Sequence, residues 1–123
     1  MILILSKLLE KFNIKSNKFY IIDLTVIGKL QKKYLDKHNI LNVEIVDAST
    51  FGKNINENNL FLLSIYALSE ISSELRDNYY KYLFPKITNG FILWNTIVID
   101  LINYKKIDKE EYFPKPYNRI IYI

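Results

Sequence analysis

Four short runs of apolar, β-branched and aromatic residues recur along this chain, and each gives way to polar side chains. Phe19-Tyr20-Ile21-Ile22 stops at Asp23, and Val43-Glu44-Ile45-Val46 stops at Asp47. Leu60 to Ile65 leads into Tyr66, Ser69 and Glu70, and Phe91-Ile92-Leu93-Trp94 stops at Asn95. Runs of this length, bounded by turn-forming residues, read as buried strands. The stretches between them carry apolar residues at helical spacing. Strands that are apolar on both faces and alternate with helices demand a mostly parallel α/β sheet with helices on both sides.

The rest of the chain fits that frame. Ile2, Leu5, Leu8, Leu9 and Phe12 fall on one helical stripe, with a short strand at Ile2–Leu5 as the alternative. Thr25 is placed to cap a helix that turns Ile27, Leu30, Tyr34 and Leu35 to the core and Lys29, Lys32, Lys33 and Lys37 to water. Asn39 is a terminator, and residues 54–59 form a polar loop. Ser69 or Ser72 starts the next helix, which presents Ile71, Leu75, Tyr79, Tyr82 and Leu83 to the core and stops at Pro85. Asn89-Gly90 reads as a turn, residues 97–102 as strand or short helix, residues 105–116 as loop, and residues 118–123 as a last strand. With no internal repeat and no linker, a single domain over residues 1–123 is expected.

Composition narrows the function classes. Half of the 123 residues are hydrophobic and 24% are charged, which suits a folded core and excludes a disordered chain. No apolar run is long enough to cross a bilayer, and Met1 to Lys7 lacks the flanks of an export signal. A cytoplasmic protein with no membrane partner is the resulting expectation. There is no cysteine, and the one histidine, His38 in Asp36-Lys37-His38-Asn39, has no cluster of metal-ligand types to support a site. That excludes a thiolate metal site and a Ser-His-Asp hydrolase. The formal charge is +4, with the basic pairs Lys32-Lys33 and Lys105-Lys106 both close to acids. The positive charge reads as dispersed, which argues against nucleic acid as a partner.

Parallel sheets bind ligands outside the carboxyl ends of their strands. Asp23 there can accept from both hydroxyls of a ribose, or simply cap the next helix. Asp47 can approach an adenine amino group, with Ala48 leaving room for the ring, or close a local turn. Tyr66 can pack on a cofactor or acceptor. Glu70 can orient or deprotonate an acceptor hydroxyl, or serve as a first-turn acid. Ser69 can bind substrate or cap a helix, and Asn95 can bind substrate or satisfy backbone.

Taken together, the blocks FYIIDL (19–24), QKKYL (31–35), VEIVDA (43–48), SIYALSE (64–70) and GFILWN (90–95) resemble the sugar O-methyltransferases, a group of class I S-adenosylmethionine-dependent enzymes. The likeness covers about residues 1–100. It implies an incomplete Rossmann-like sheet, S-adenosylmethionine as cofactor and a carbohydrate hydroxyl as acceptor. It places Asp23 and Leu24 at the cofactor ribose, Asp47 and Ala48 at the adenine, and Ser64 beside the cofactor. Tyr66 and Glu70 match the catalytic segment, and Ser69 and Asn95 fall where the acceptor binds, without fixing the base.

One part of the pattern is missing. Glycine occurs only at 28, 52 and 90, so the Gly-rich turn of such a domain cannot be built. Ile2 to Phe12 matches the helix after that turn, so the chain is expected to be a truncated domain. The family's first strand is central, and its loss leaves sheet edges open to a complementing chain or a second copy. A non-catalytic interaction protein is therefore the alternative to an enzyme.

Overall fold

The computed structural model describes residues 2–15, 18–95, 108–111 and 118–123. Helix α1 (Ile2–Lys11) is followed by strand β1 (Phe19–Asp23), helix α2 (Thr25–Lys37), strand β2 (Val43–Asp47) and a single 3-10 turn at Ala48–Thr50. Strand β3 (Leu60–Ile65), helices α3 (Ala67–Glu70) and α4 (Ser73–Tyr82), and a 3-10 turn at Phe84–Lys86 come next. Strands β4 (Ile87–Trp94), β5 (Asp108–Glu111) and β6 (Arg119–Tyr122) complete the order. The chain divides into two compact units, Met1–Asn54 and Ile55–Ile123.

In the first unit β1 and β2 pair in parallel, from Phe19 opposite Val43 to Asp23 opposite Asp47. Leu35, Ile40 and Val43 are buried, and Ile2, Leu3, Phe19, Ile21 and Ile45 pack around them. Phe19, Ile21, Val43 and Ile45 share one strand face by the two-residue period, so α1 and α2 both lie on that face. The seat of α2 is set by Gly28: a Cβ there would lie 2.2 Å from Ile45 Cγ2. A bare backbone lets the helix settle onto Ile45.

That contact rotates α2 away from the orientation expected of its apolar stripe. Gly28 and Leu35 are buried, whereas Leu30 (67% exposed), Tyr34 (53%) and Ile27 point outward. Thr25 does not cap the helix either. Leu24 holds the N-cap position without a side-chain bond, and the Thr25 hydroxyl donates to Asp47 instead. Asn39, at φ 59°, ends the helix in the left-handed conformation that asparagine tolerates. The strand alternative for Ile2–Leu5 is excluded by the helix over Ile2–Lys11.

The second unit holds a four-stranded mixed sheet in the order β3-β4-β6-β5. β3 and β4 run parallel, and β6 lies antiparallel to both β4 and β5. Trp94, Phe84, Ile92 and Ile121 are fully buried, joined by Leu68 from α3 and by Tyr79 and Tyr80 from α4. Each such side chain contributes about 1.5–3 kcal/mol through burial. Arg76 takes the core position of α4, while Leu75, expected inside, is exposed. The guanidinium Nη1 donates to the carbonyls of Leu68 (2.9 Å) and Ile71 (3.0 Å), which α3 leaves open at its end, and stacks 5.0 Å from the Trp94 ring.

Gly90 is not in a turn. It sits inside β4, exchanges both backbone hydrogen bonds with Ile123 and pairs with Leu62 on the other side. A Cβ there would meet Ile123 at 2.8 Å and Leu62 at 3.1 Å, so glycine admits two neighbours at close approach. Residues 108–111, expected as loop, form β5, whereas residues 97–102 lie outside the described residues. The architecture is thus mixed α/β. Parallel pairs occur in both units, but β1 and β3 belong to separate sheets, and the described residues form no uninterrupted doubly wound sheet.

Candidate functional site

The carboxyl ends of β1 and β2 bring Asp23 and Asp47 side by side as register partners. Strand geometry puts opposed Cα atoms of neighbouring strands about 5 Å apart, so two carboxylates meet at one edge. Each is held by local donors. Asp23 accepts from the Leu24 N–H at 2.7 Å and from Gln31 Nε2 at 3.0 Å. Asp47 accepts from the Thr25 hydroxyl, from the Ser49 N–H at 2.8 Å and from the Ser49 hydroxyl at 2.5 Å.

These donors favour the charged form of Asp47. The Ser49 hydroxyl, then that of Thr25, then the Ser49 N–H hold its pKa down at about 2. Asp47 also caps the 3-10 turn that carries Ala48, so the local-turn role expected of it is present. A carboxylate offers about four acceptor positions. Among the described residues, the donors named above leave roughly two open on Asp23 and roughly one on Asp47. Leu24 is exposed beside them and Ala48 is half-buried. The sequence assigns Thr25 only a helix-capping role and gives Gln31 and Ser49 no role beside the acids. The polar residue two positions after each acid was the available signal.

A second cluster forms in the other unit, at the ends of β3 and β4. Ser69 Oγ lies 2.5 Å from Asn95 Oδ1 and 2.8 Å from the Tyr66 carbonyl, and accepts weakly from the Asn95 N–H. Asn95 Nδ2 donates to Glu70 Oε1 at 3.2 Å. Asn118 Nδ2 donates to the Tyr66 hydroxyl at 3.4 Å. Tyr66, expected against a cofactor or acceptor, and Ser69, Glu70 and Asn95, expected at the acceptor, are therefore brought together. Ser64 is buried and accepts from the Leu68 N–H, a structural duty at the start of α3.

Tyr66 carries the geometry of this corner. It occupies the left-handed region at φ 62° and ψ −19°, unusual for an aromatic residue, and its carbonyl accepts from the Ser69 and Glu70 N–H groups. Ser72, not Ser69, caps α4. Buried Asn118 was missed because its position depends on β6 entering beside β4, a long-range pairing that no local pattern announces.

A cavity of ≈ 240 Å³ lined by Ser6, Leu9, Glu10, Ile14, Phe19 and Asn42 opens at the amino end of β1. Four residue steps along the strand carry the chain from Phe19 to Asp23, about 13 Å, so this cavity is not the aspartate edge. Among the described residues no group of three or more His, Cys, Asp or Glu is arranged to hold a metal ion. No helix among them is long and apolar enough to cross a membrane. No protein-family model, curated protein or solved structure matches this chain.

Proposed function

We propose that this chain is a methyltransferase-like domain that binds the nucleoside half of S-adenosylmethionine at the carboxyl ends of β1 and β2. One observation carries the reading: Asp23 and Asp47 end adjacent parallel strands in register. Such strand ends are where α/β sheets receive nucleotides. The two open acceptor positions on Asp23 suit the vicinal hydroxyls of a ribose. The one left on Asp47 suits an adenine amino group, with Ala48 offering only a methyl to the ring. The sequence blocks that resemble sugar O-methyltransferases include both acids.

When bound, S-adenosylmethionine supplies an electrophilic methyl group. This chain's contribution to transfer onto a carbohydrate hydroxyl would be positioning and proton removal. Glu70, oriented by Asn95, is the candidate to take that proton, and Ser69 and Tyr66 to orient the acceptor. Cofactor residues and acceptor residues belong to different units, and no Gly-rich turn supports the methionine portion. Binding is therefore the proposed property, and catalysis is assigned only to an assembly that supplies the missing contacts.

Calorimetric titration with S-adenosylhomocysteine tests this. Micromolar binding that Asp23→Ala removes supports it, and a folded chain that gives no heat at millimolar ligand rejects it. A second reading has its own observation: among the described residues β1 and β3 are each bonded on one side within their sheets. A chain that uses such an edge to pair with a complementing strand or a second copy would be an interaction protein. Concentration-dependent dimerisation by light scattering, lost when Leu63→Pro removes a ladder donor, would favour it.

A further inference from the structure

The rotation of α2 leaves an amphipathic face turned to solvent. Val26 (77% exposed), Leu30 and Tyr34 repeat every four residues along one outward row, and Lys29, Lys33 and Lys37 repeat at the same interval beside it. A four-residue repeat stacks side chains one above the other on a helix. The only acid on that flank, Asp36, is already ion-paired with Lys32. The surroundings match: residues 1–54 hold nine lysines against five acids, whereas residues 55–123 hold eight basic against eight acidic residues. The whole net charge of +4 therefore resides in the first unit rather than being dispersed.

From this juxtaposition we infer that α2 is a docking surface for an anionic lipid bilayer. Exposed aliphatic side chains insert between lipid headgroups, and a tyrosine beside them suits the interface. Lysines on the flank reach up to anionic headgroups while their stems cover apolar surface. Charge complementarity selects this occupant. A polynucleotide would use the lysines but leave Val26 and Leu30 in water. A neutral protein groove would cover the aliphatic row but strand three ammonium groups. The helix lies on the surface and does not cross it. This inference is independent of nucleoside binding, which uses the strand ends.

Co-sedimentation of the full chain with vesicles of phosphatidylcholine alone, or mixed with phosphatidylserine, tests the assignment. Binding is expected only with phosphatidylserine, and it should weaken steeply with added salt. The triple variant K29Q/K33Q/K37Q should lower partitioning by about 100-fold, from roughly fivefold per lysine near an anionic surface. Leu30→Asp should abolish it. All four positions are exposed, so unchanged far-UV circular dichroism and thermal melting should accompany both variants. Equal binding to both vesicle types, or no binding at low salt, overturns the proposal. So does RNA binding, or Leu30-dependent dimerisation, by a chain that ignores vesicles.

Discussion

Gly28→Ala offers a prediction whose sign depends on how α2 is seated. In an exposed helix interior this change stabilises by about 1 kcal/mol, because alanine restricts the unfolded chain and favours the helix. Here the added methyl would fall 2.2 Å from Ile45 Cγ2. Carbon atoms rest about 3.5–4.0 Å apart, so helix or side chain must give by well over an ångström. Ile45 is β-branched and stiff at χ1, and it packs in the cluster around Leu35 and Val43. Overpacking of this kind costs about 1–3 kcal/mol. The net expectation is a loss of about 1 kcal/mol, opposite in sign to the propensity effect.

A double-mutant cycle isolates the cause. Ile45→Ala alone should cost about 2–4 kcal/mol, as for other truncations of packed isoleucine. In that background the clashing atom is gone, and Gly28→Ala should recover its stabilisation of about 1 kcal/mol. Ile45→Val keeps Cγ2 and should give no rescue. Urea titrations followed by far-UV circular dichroism, with amide exchange across residues 25–37, read all four corners. Stabilisation by Gly28→Ala in the native background would refute the seating, and with it the outward turn of Leu30 and Tyr34.

Other expectations are more direct. Gly90→Ala should destabilise the second unit by about 1–3 kcal/mol through contacts with Ile123 and Leu62, measured by loss of Trp94 fluorescence structure in urea. Asp47 is held low in pKa, so its stabilising donors act fully above pH 3.8 and are lost as pH falls toward about 2. An acid titration of Asp47→Asn should lack the part of the transition that falls in this window; an unchanged acid limb would show that Thr25 and Ser49 do not hold the carboxylate. Arg76→Met should leave the Leu68 and Ile71 carbonyls without their donor and cost about 1–3 kcal/mol in a thermal melt.

How far the sequence could be read differed between local and long-range features. The strands beginning at Phe19, Val43 and Leu60 were legible because apolar runs between turn residues have few other uses. The helix facing of α2 was not. Of the expected core face Ile27, Leu30, Tyr34 and Leu35, only Leu35 is buried; Gly28 joins it because a glycine gains closer approach to Ile45 than any larger residue allows. Asn89-Gly90 misled in the same way: a turn dipeptide by composition, it lies in β4 because Ile123 and Leu62 crowd its Cα.

The candidate sites divide similarly. Aspartates at strand ends followed from strand position, and their register followed once β1 paired with β2. Tyr66, Ser69, Glu70 and Asn95 converge as the parallel pairing of β3 with β4 requires. Asn118 enters only through antiparallel β6, and Arg76 replaces an expected leucine because α3 ends with carbonyls that need a donor. Neither has a local signal.

The most direct measurement is a map of backbone amide shifts in the isotope-labelled chain as S-adenosylhomocysteine is added. Nucleoside recognition at the aspartate edge should move the amides of Leu24, Ala48 and Ser49, in saturable fashion, and the movement should vanish in Asp23→Ala. Shifts confined to Ser6, Leu9 and Asn42 would place the ligand in the cavity at the other end of β1, and that result, like no shift at all, would contradict a nucleoside site built on Asp23 and Asp47.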